Sequence, residues 1–508
     1  MLPKSGSIAV ISSSPLTPEA LPAKKAQTLL GQETDAVVFD AHSGLDVNAL
    51  AAISGTLRGG GTLFLLTPPL AEWPTFPDPA YQRFLPYPYQ PTDVSGRFLQ
   101  RLVRLLEQPP VQAAMPSPPP ALTQQQAFEM MLPTKAPVVL TADRGRGKSA
   151  ILGMAAAYWQ QQGLNVLLTA PARATVMSVF KHAGENAPTF IAPDELLQTL
   201  PKADILLVDE AAAIPVPSLL QMQAHYPRCV FATTVHGYEG SGRGFVLRFQ
   251  TELQQRTNGQ CMFLRLQQPI RWADNDPLEQ FINQALLLDI DTPAALDLPT
   301  LQAHYTLLDR DVLALDETLL KQVFGLLVTA HYQTRPSDLR QMLDAPDISI
   351  HVLRQAGYVL AVGLLSREGG LAAELTAAIH AGKRRPHGHP IPQTLTFHAG
   401  IIGAAELVCE RVMRIAVQPA LQGRGLGKRL LDYLKQYAQE SGADYLGVSY
   451  AVTPQLITFW EQAGFQLARV GHRKDTASGS QSAVHIYPFT AAGQQLANQC
   501  TVQLTKPV

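Results

Sequence analysis

The sequence predicts an α/β fold in every part of the chain, and three observations lead to it. Short apolar stretches that end in polar turns alternate with helix-like stretches, which is the pattern of parallel sheets. Two glycine-rich turns each lie between an apolar strand and a helix, one within 138–159 and the other within 413–437. The 508 residues, 46% of them hydrophobic, are too many for one core and predict about three domains.

The composition argues against several classes of protein. A formal net charge of −1 means that any nucleic-acid surface must be a local basic patch. The four cysteines lie far apart without a CxxC pair, so we expect no zinc site and a reducing compartment. The start of the chain lacks the apolar core of a signal peptide, and no apolar run approaches the ~20 residues of a membrane span. We therefore expect a cytoplasmic protein without a membrane segment.

The first predicted domain is a Rossmann-like α/β unit at 1–115. It contains two short strands, then a helix, a glycine-rich turn and a strand in "VNALAAISGTLRGGGTLFLLTPP". The proline-rich stretch at 108–122 is the clearest linker. A second α/β domain is predicted at 122–300, and an α+β domain at 303–488 contains a hairpin that turns at residues 355–357. A short tail at 489–508 follows.

The first glycine-rich turn matches most of the phosphate-binding pattern G-x-x-x-x-G-K-[ST]. Residues 142–149 read ADRGRGKS, with Ala142 in place of the first glycine. This alanine is acceptable if its φ angle stays negative, while Gly145 and Gly147 keep the turn free. Lys148 would reach the β- and γ-phosphates and Ser149 would hold Mg²⁺, whereas a chance glycine-rich turn is the alternative. The candidate contacts are Ala142, Asp143, Arg144, Gly145, Arg146, Gly147, Lys148, Ser149, Ala150 and Ile151.

A second element supports nucleotide binding. The stretch "ADILLVDEAAAIP" is an apolar strand that ends in Asp209 and Glu210. Asp209 would orient the Mg²⁺ shell and Glu210 would activate water, so the two elements in this order predict a RecA-like P-loop NTPase domain that uses ATP or GTP. Gln126 is a candidate adenine contact, or else an ordinary helix start. Arg243 and Arg271 are candidate γ-phosphate contacts, or else surface ion-pair residues.

The second glycine-rich turn lacks a GK[ST] sequence and an acidic metal site. Its QGRGLG sequence at 422–427 fits Q/R-x-x-G-x-G/A, the pyrophosphate cradle of GCN5-related acetyltransferases. The strand before it would lie beside the pantetheine arm of acetyl-CoA and offer an oxyanion donor. A dinucleotide fold is the rival, although no acidic residue ends a second strand about 20 positions on. The candidate contacts are Ile415, Ala416, Val417, Gln422, Gly423, Arg424, Gly425, Leu426, Gly427 and Lys428.

A P-loop motor joined to an acetyltransferase module resembles the bacterial tRNA(Met) cytidine acetyltransferase family. The resemblance implies transfer of acetyl from acetyl-CoA to N4 of the wobble cytidine of elongator tRNA(Met), with ATP or GTP hydrolysis that remodels the RNA. It also implies nucleotide contacts by Gln126, 142–151 and Arg271, and acetyl-CoA contacts by 415–417 and 422–428. The segments that carry it are "RGRGKSA", "DEAAAIP", "TTVHGYEGSGRGF", "PIRWADNDPLE", "TRPSDLRQMLDAP", "RRPHGHPIPQTL" and "RIAVQPALQGRGLGKRLL".

The sequence departs from the family pattern beside the coenzyme. Gln455 and Gln462 stand where the family has a glutamate and an arginine, which we expect to weaken coenzyme binding. Trp460 replaces the usual tyrosine acid, so Tyr450 is a candidate acid, or else a core tyrosine. His398 is a candidate base, or else a structural histidine. A proton relayed by water would need neither of the two candidates.

Two further stretches bear on RNA binding. Residues 380–393 form a basic insertion, expected as an extended loop that binds phosphates, or else as a solvated charge run. Family members continue into an RNA-binding tail, whereas little follows Phe489 here, so we expect weaker tRNA binding. The alternative function is a nucleotide-dependent RNA-remodelling protein with a weak or protein-directed acetyltransferase module.

Overall fold

The computed structural model describes residues 7–14, 17–108, 122–235, 242–290, 300–330, 334–474 and 481–504. Within these residues three β-sheets alternate with helices, which confirms the α/β class. Most of the predicted linker at 108–122 lies outside the described residues, and so does the side chain of Arg243. The chain divides into two compact units, each made of separate stretches: 1–70, 104–289 and 332–337 in one, and 71–103, 290–331 and 338–508 in the other.

The first unit begins with a three-stranded parallel sheet in the order β1-β2-β3. The glycine-rich stretch after α1, expected to be a turn, lies instead within β3. Thr34 pairs with Leu57 but Ala36 pairs with Thr62, so the residues between Leu57 and Thr62 bulge out of the ladder. The elements are β1 (Ile8–Ile11), β2 (Thr34–Asp40), α1 (Val47–Ser54) and β3 (Leu57–Leu66).

The same unit contains a six-stranded, fully parallel sheet in the order β6-β5-β7-β8-β4-β9. Strands β4, β5 and β7 are buried along their whole length, as apolar strands covered on both faces should be. The carboxyl ends of β4 and β7 meet at one edge, with β8 between them. Helix α2 (Arg97–Glu107) begins within the stretch assigned to the second unit and ends within the first. The elements that follow in the first unit are α3 (Gln124–Met131), β4 (Val138–Ala142), α4 (Lys148–Gln161), β5 (Val166–Thr169), α5 (Met177–Ala183), β6 (Thr189–Phe190), α6 (Pro193–Thr199), β7 (Ile205–Val208), α7 (Val216–His225), β8 (Cys229–Thr234), α8 (Gly242–Arg256), β9 (Met262–Leu266) and α9 (Pro277–Leu286).

The second unit is built on a seven-stranded mixed sheet in the order β10-β11-β12-β13-β14-β16-β15. The predicted hairpin joins β11 and β12 through Ala356 and Gly357, both with positive φ, as a tight hairpin turn needs. The elements are β10 (His304–Leu307), α10 (Arg310–Leu315), α11 (Glu317–Ala330), α12 (Pro336–Asp344), β11 (Ile348–Gln355), β12 (Tyr358–Gly369), α13 (Ala373–His380), α14 (Pro390–Gln393) with a π-helical turn (Thr394–His398), β13 (Val408–Val417), α15 (Leu426–Glu440), β14 (Tyr445–Ala451), α16 (Pro454–Gln462), β15 (Gln466–Lys474), β16 (Gln481–Pro488) and α17 (Ala491–Leu504).

The two central strands of this sheet separate part-way along. Parallel β13 and β14 pair from Cys409 with Tyr445 to Val412 with Val448, and no later ladder pair joins them in the described residues. Met413 bulges from β13 at this point, because Val412 and Arg414 pair with consecutive residues of β12. The two strands therefore splay apart beyond Val412 and Val448, which opens a gap in the middle of the sheet.

Candidate functional site

The loop between β4 and α4 has the backbone that a phosphate cradle requires. Gly145 and Gly147 lie in the left-handed region with φ of 75° and 80°, which glycine adopts without strain. Ala142 ends β4 and is not among the described residues with positive φ, so it meets the condition for replacing a glycine. No side chain caps the N-terminus of α4, which suits it to an anionic ligand.

The four predicted catalytic and metal residues of the first unit are in contact. The ammonium of Lys148 lies 2.6 Å from Glu210 Oε1 and 3.3 Å from Asp209 Oδ1. The hydroxyl of Ser149 donates a hydrogen bond of 2.8 Å to Asp209 Oδ2. Lys148 and Asp209 are buried, so their charges act in a medium that screens them weakly.

This cluster fits a nucleotide-bound magnesium ion. A hydroxyl oxygen and a carboxylate oxygen are hard ligands of the kind that Mg²⁺ prefers, and Ser149 and Asp209 offer one of each side by side. Glu210 lies in the left-handed region with φ of 49°, which is uncommon for a residue with a side chain. Such conformations cost about 1–3 kcal/mol and concentrate at functional sites.

Arg144 and Arg271 both turn toward the C-terminal end of α1. Arg144 Nη1 donates to the carbonyl of Ala51 at 3.2 Å, and Arg271 donates to the carbonyl of Gly55. Burial lowers the pKa of Arg271, and the neighbouring Arg144 lowers it further. The backbone N–H of Arg271 also donates to the carbonyl of Gly145, so this arginine contacts the loop through its main chain. The structure thus places Arg271 beside the loop, with its guanidinium on the helix end.

The remaining arginine of the loop has a carboxylate partner. Arg146 forms an ion pair with Glu279 of α9, and the indole of Trp272 donates to the same carboxylate at 2.8 Å. The ring of Trp272 lies against Gly145, where an added Cβ would be 2.8 Å from Trp272 Cη2. The close approach of this ring is a second reason for a glycine at position 145.

Gln124, which the sequence reasoning did not single out, contacts the phosphate loop. Its Nε2 donates to the carbonyl of Gly147 at 3.0 Å. Gln126 is exposed, and its Oε1 accepts from the backbone N–H of Thr123 in a capping box at the start of α3. The T-x-x-Q pattern was the available signal, because a capping box commits the glutamine to the helix start. The predicted adenine contact of Gln126 stays a prediction.

The turn before α15 forms a second cup of backbone amides. Gly423 and Gly425 have φ of 75° and 79°, and a Cβ built on either would meet no atom within 4 Å. Helix α15 begins at Leu426, directly after Gly425, and no side chain caps it. Within the described part of the chain, the N–H groups of 423–428 donate to no protein acceptor. These amides are therefore open to an anion.

The strand that leads into this cup has one paired edge and one edge on the gap. Ile415, Ala416 and Val417 pair with Gly363, Val362 and Ala361 of β12. Their other edge faces the splayed end of β14, so an extended ligand can bind there as an added strand would. Gln422 Nε2 donates to the carbonyl of Val417 at 3.3 Å and ties the turn to the strand.

Tyr450 lies on the splayed end of β14 and is hydrogen-bonded. Its hydroxyl is 3.2 Å from His485 Nδ1, and its ring is 6.1 Å from the ring of Trp460. Burial, with a smaller effect of the Glu461 carboxylate, raises the pKa of Tyr450 to about 12. The phenol therefore keeps its proton at neutral pH, which suits a proton donor and not a base.

His398 ends the π-helical turn and is exposed. Its pKa is lowered by burial first, and then by the positive charges of Arg469 and Arg385. The imidazole is therefore neutral at physiological pH, as a general base must be. Gln455 and Gln462 both lie exposed on α16, and their coenzyme contacts stay predictions.

Comparison with known proteins identifies the family. A model of the N-terminal part of tRNA(Met) cytidine acetyltransferase TmcA matches residues 2–114. A model of the helicase domain of RNA cytidine acetyltransferase NAT10/TcmA matches 139–289, and a GNAT acetyltransferase 2 model matches 322–444 and 438–490. The tRNA(Met) cytidine acetyltransferase TmcA of Nitrosococcus halophilus is 45% identical over 527 residues, covering 93% of this chain and 70% of its own length.

The chain belongs to the tRNA(Met) cytidine acetyltransferase family. A second relative of that name, from Pectobacterium atrosepticum, is 38% identical over 523 residues, which cover 96% of this chain and 73% of the relative. Among solved structures, the ribosomal-protein-S18-alanine N-acetyltransferase from Escherichia coli aligns with 38% of this chain at 16% identity and a TM-score of 0.26. The resemblance predicted from the motifs is thus confirmed by the relatives and family models.

Proposed function

We propose that this chain transfers acetyl from acetyl-CoA to N4 of the wobble cytidine of elongator tRNA(Met), with hydrolysis of ATP or GTP. One observation carries the proposal. Two uncapped helix N-termini in one chain, α4 and α15, each follow a glycine turn in the left-handed region. The first is joined by a lysine, a serine and two carboxylates, whereas the second opens onto a gap between strands.

The chemistry of the first site follows from its charges. Lys148, now held by Glu210 and Asp209, would turn to the β- and γ-phosphates when a nucleotide binds. Glu210 would then be free to orient the attacking water. Ser149 and Asp209 would hold Mg²⁺, which supplies charge neutralisation at the phosphates. The lysine thus exchanges one anionic partner for another, so its charge is never left buried and unpaired.

The second site would position acetyl-CoA for direct transfer. Its diphosphate would lie on the amides of 423–428 and its pantetheine arm along 415–417. Attack of cytidine N4 on the thioester carbonyl releases the thiolate of coenzyme A, which Tyr450 can protonate. The proton lost from N4 passes to His398 or to water. The cytidine must first leave its stack at a cost of about a few kcal/mol, which gives the motor a role.

The alternative function is a nucleotide-dependent RNA-remodelling protein with a weak or protein-directed acetyltransferase module. The exposed, uncharged Gln455 and Gln462 favour it, because they remove two charges expected beside the coenzyme. A cytoplasmic location and a tRNA partner belong to the main proposal. In the part of the chain that the structure describes, no helix is both long enough and apolar enough to cross a bilayer.

Nucleoside analysis of tRNA separates the two functions. Mass spectrometry of tRNA from cells that lack this gene is expected to show loss of N4-acetylcytidine. Reintroduction of the wild-type gene should restore the nucleoside, whereas a gene with Gly425→Glu should not. An unchanged level of N4-acetylcytidine in the deletion strain would instead favour the RNA-remodelling function.

The pH dependence of transfer tests His398 as the base. Because two arginines and burial lower its pKa, kcat/KM is expected to fall only as the pH drops below the ordinary histidine value of 6.5, where protonation removes the base. Replacement of His398 by glutamine should remove this acid limb and lower the rate about 10²–10⁴-fold. His304→Gln, at another exposed histidine of the same unit, is the control. An unaltered profile in His398→Gln would assign the proton to water.

A further inference from the structure

Phe397 is an exposed aromatic side chain held against the basic insertion. It is 48% exposed and lies on the π-helical turn, next to His398. A Cβ built on Gly382 would be 3.1 Å from Phe397 Cε2, so the loop backbone passes directly beside the ring. Single exposed apolar residues are ordinary, but π-helical turns are often functional.

The insertion beside Phe397 is fixed by hydrogen bonds and is not a free loop. The backbone N–H groups of Lys383 and Arg384 donate to the carbonyl of Ala378 at 2.9 and 3.3 Å. His389, which is buried, accepts from the N–H of Gly369 at 2.8 Å and donates to the carbonyl of Tyr87 at 2.6 Å. The expected extended loop thus covers only 381–389, since α14 begins at Pro390. A fixed loop loses little further freedom when a ligand binds it.

Cationic side chains lie near the ring, because the charges of Arg385 and Arg469 both act on the neighbouring His398. Lys383, Arg384 and Arg385 are exposed and form no ion pair within the described residues. Arg469 of β15 stands opposite Val484 in the ladder, so both side chains lie on one face of the sheet. Val484 packs with Leu395 and Ile401 in one buried cluster, which places Arg469 on the same face as the π-helical turn.

The segment that leads to Phe397 packs beside β14 near the point where β13 and β14 separate. Ile391, one turn before Thr394, packs beneath Gly447, where a Cβ would be 2.9 Å from Ile391 Cδ1. Gly447 immediately precedes Val448, the last residue of β14 that pairs with β13. Helix α15 packs in a separate buried cluster. The segment that carries Phe397 therefore approaches the splay from the face away from the amide cup.

We propose that Phe397 stacks on a base of single-stranded RNA beside the target cytidine, while Arg385 and Arg469 bind the flanking phosphates. This proposal rests on the proposed function. Proteins bind single-stranded nucleic acids with aromatic rings that lie among cations. The ring stacks on the flat face that every base has, and the cations bind the negative charge of each phosphodiester linkage. A splayed anticodon loop presents such a strand, whereas a duplex keeps its bases covered.

The test is a binding assay with labelled single-stranded RNA of anticodon-loop sequence. Binding to the full chain, without nucleotide or coenzyme, is followed by fluorescence anisotropy. The platform under test consists of Phe397, Arg385 and Arg469. We expect Phe397→Leu to weaken binding about tenfold and Phe397→Trp to retain it, because tryptophan keeps a stacking face. Arg385→Gln and Arg469→Gln should each reduce the slope of log affinity against log salt concentration by about one, because each removes one phosphate contact. Tyr358→Leu, which removes an exposed aromatic ring at the β11–β12 hairpin, should leave the affinity unchanged.

Two results of the binding assay, and one kinetic result, would overturn the platform. One is an unchanged affinity in folded Phe397→Leu, and the other is equal losses for single-stranded and duplex RNA. Failure of the proposed function would give a different pair of results. The wild-type protein would bind the RNA probe, but cells that lack the gene would keep their N4-acetylcytidine. Normal KM for tRNA in Phe397→Leu, with acetylation intact, would remove the platform and leave the function.

Discussion

Replacement of Lys148 by alanine is expected to abolish nucleotide hydrolysis, with a loss of at least about 10²–10³-fold in kcat, as for removal of one preorganised charge donor. Its ammonium lies 3.3 Å from Asp209 Oδ1 and 2.6 Å from Glu210 Oε1. When a nucleotide binds, the same ammonium is the group that can neutralise the developing charge on the phosphates. Alanine cannot reach either position.

Phosphate release from ATP in the presence of RNA is the measurement. Lys181→Ala, at an exposed lysine of the neighbouring α5, is the matched control and should keep the wild-type rate. Removal of the lysine also leaves the buried Asp209 without its cation, so thermal unfolding should accompany the assay. Lys148→Arg keeps the charge and separates a folding defect from a catalytic one. Wild-type hydrolysis by folded Lys148→Ala would contradict the assignment of this loop.

Substitution of Gly425 by glutamate is expected to abolish acetyl transfer while ATP hydrolysis persists. A Cβ at this position would meet no atom within 4 Å, so the new side chain fits the protein but enters the amide cup. Its carboxylate would repel the diphosphate of the coenzyme in the place where the open amides should bind it. The φ of 79° adds a backbone strain of about 1–2 kcal/mol for any residue other than glycine.

The chain offers a closely matched control for that strain. Gly442, after the C-terminal end of α15, has φ of 77° and also meets no atom within 4 Å of a built Cβ. Gly442→Glu therefore introduces the same backbone strain and the same charge at a site without a cup of amides. Calorimetry of acetyl-CoA binding should show binding lost in Gly425→Glu and kept in Gly442→Glu. Equal losses in both variants would assign the effect to strain, and normal transfer by Gly425→Glu would refute the cup.

Short-range features of both sites could be predicted from the sequence. The turn after β4 and the carboxylates after β7 depend on strand ends and glycine positions that a few neighbouring residues determine. The carboxyl ends of parallel strands meet at one edge, so Lys148 and Asp209 were expected to converge.

The features that sequence reasoning missed depend on contacts between distant segments. Gln124 lies at the start of α3, and only the packing of α3 against the loop shows that it contacts Gly147. Arg271 was a γ-phosphate candidate, whereas its guanidinium is bonded to the carbonyl of Gly55, far away in sequence. The glycines of β3 suggested a turn, but pairing with β2 on both sides of them makes a bulge.

The division of the chain into interleaved stretches affects the order of folding during synthesis. Residues 71–103 belong to the acetyltransferase unit, and Asp78 within them is hydrogen-bonded at 2.6 Å to Arg340, 262 residues later. Both side chains are buried, and the rings of Tyr81 and Phe84 lie around the guanidinium. At ribosomal rates of about 5–20 residues per second, the partner of Asp78 arrives about 13–50 s after it. Throughout that interval the nascent chain carries an apolar segment whose native neighbours have not yet been translated.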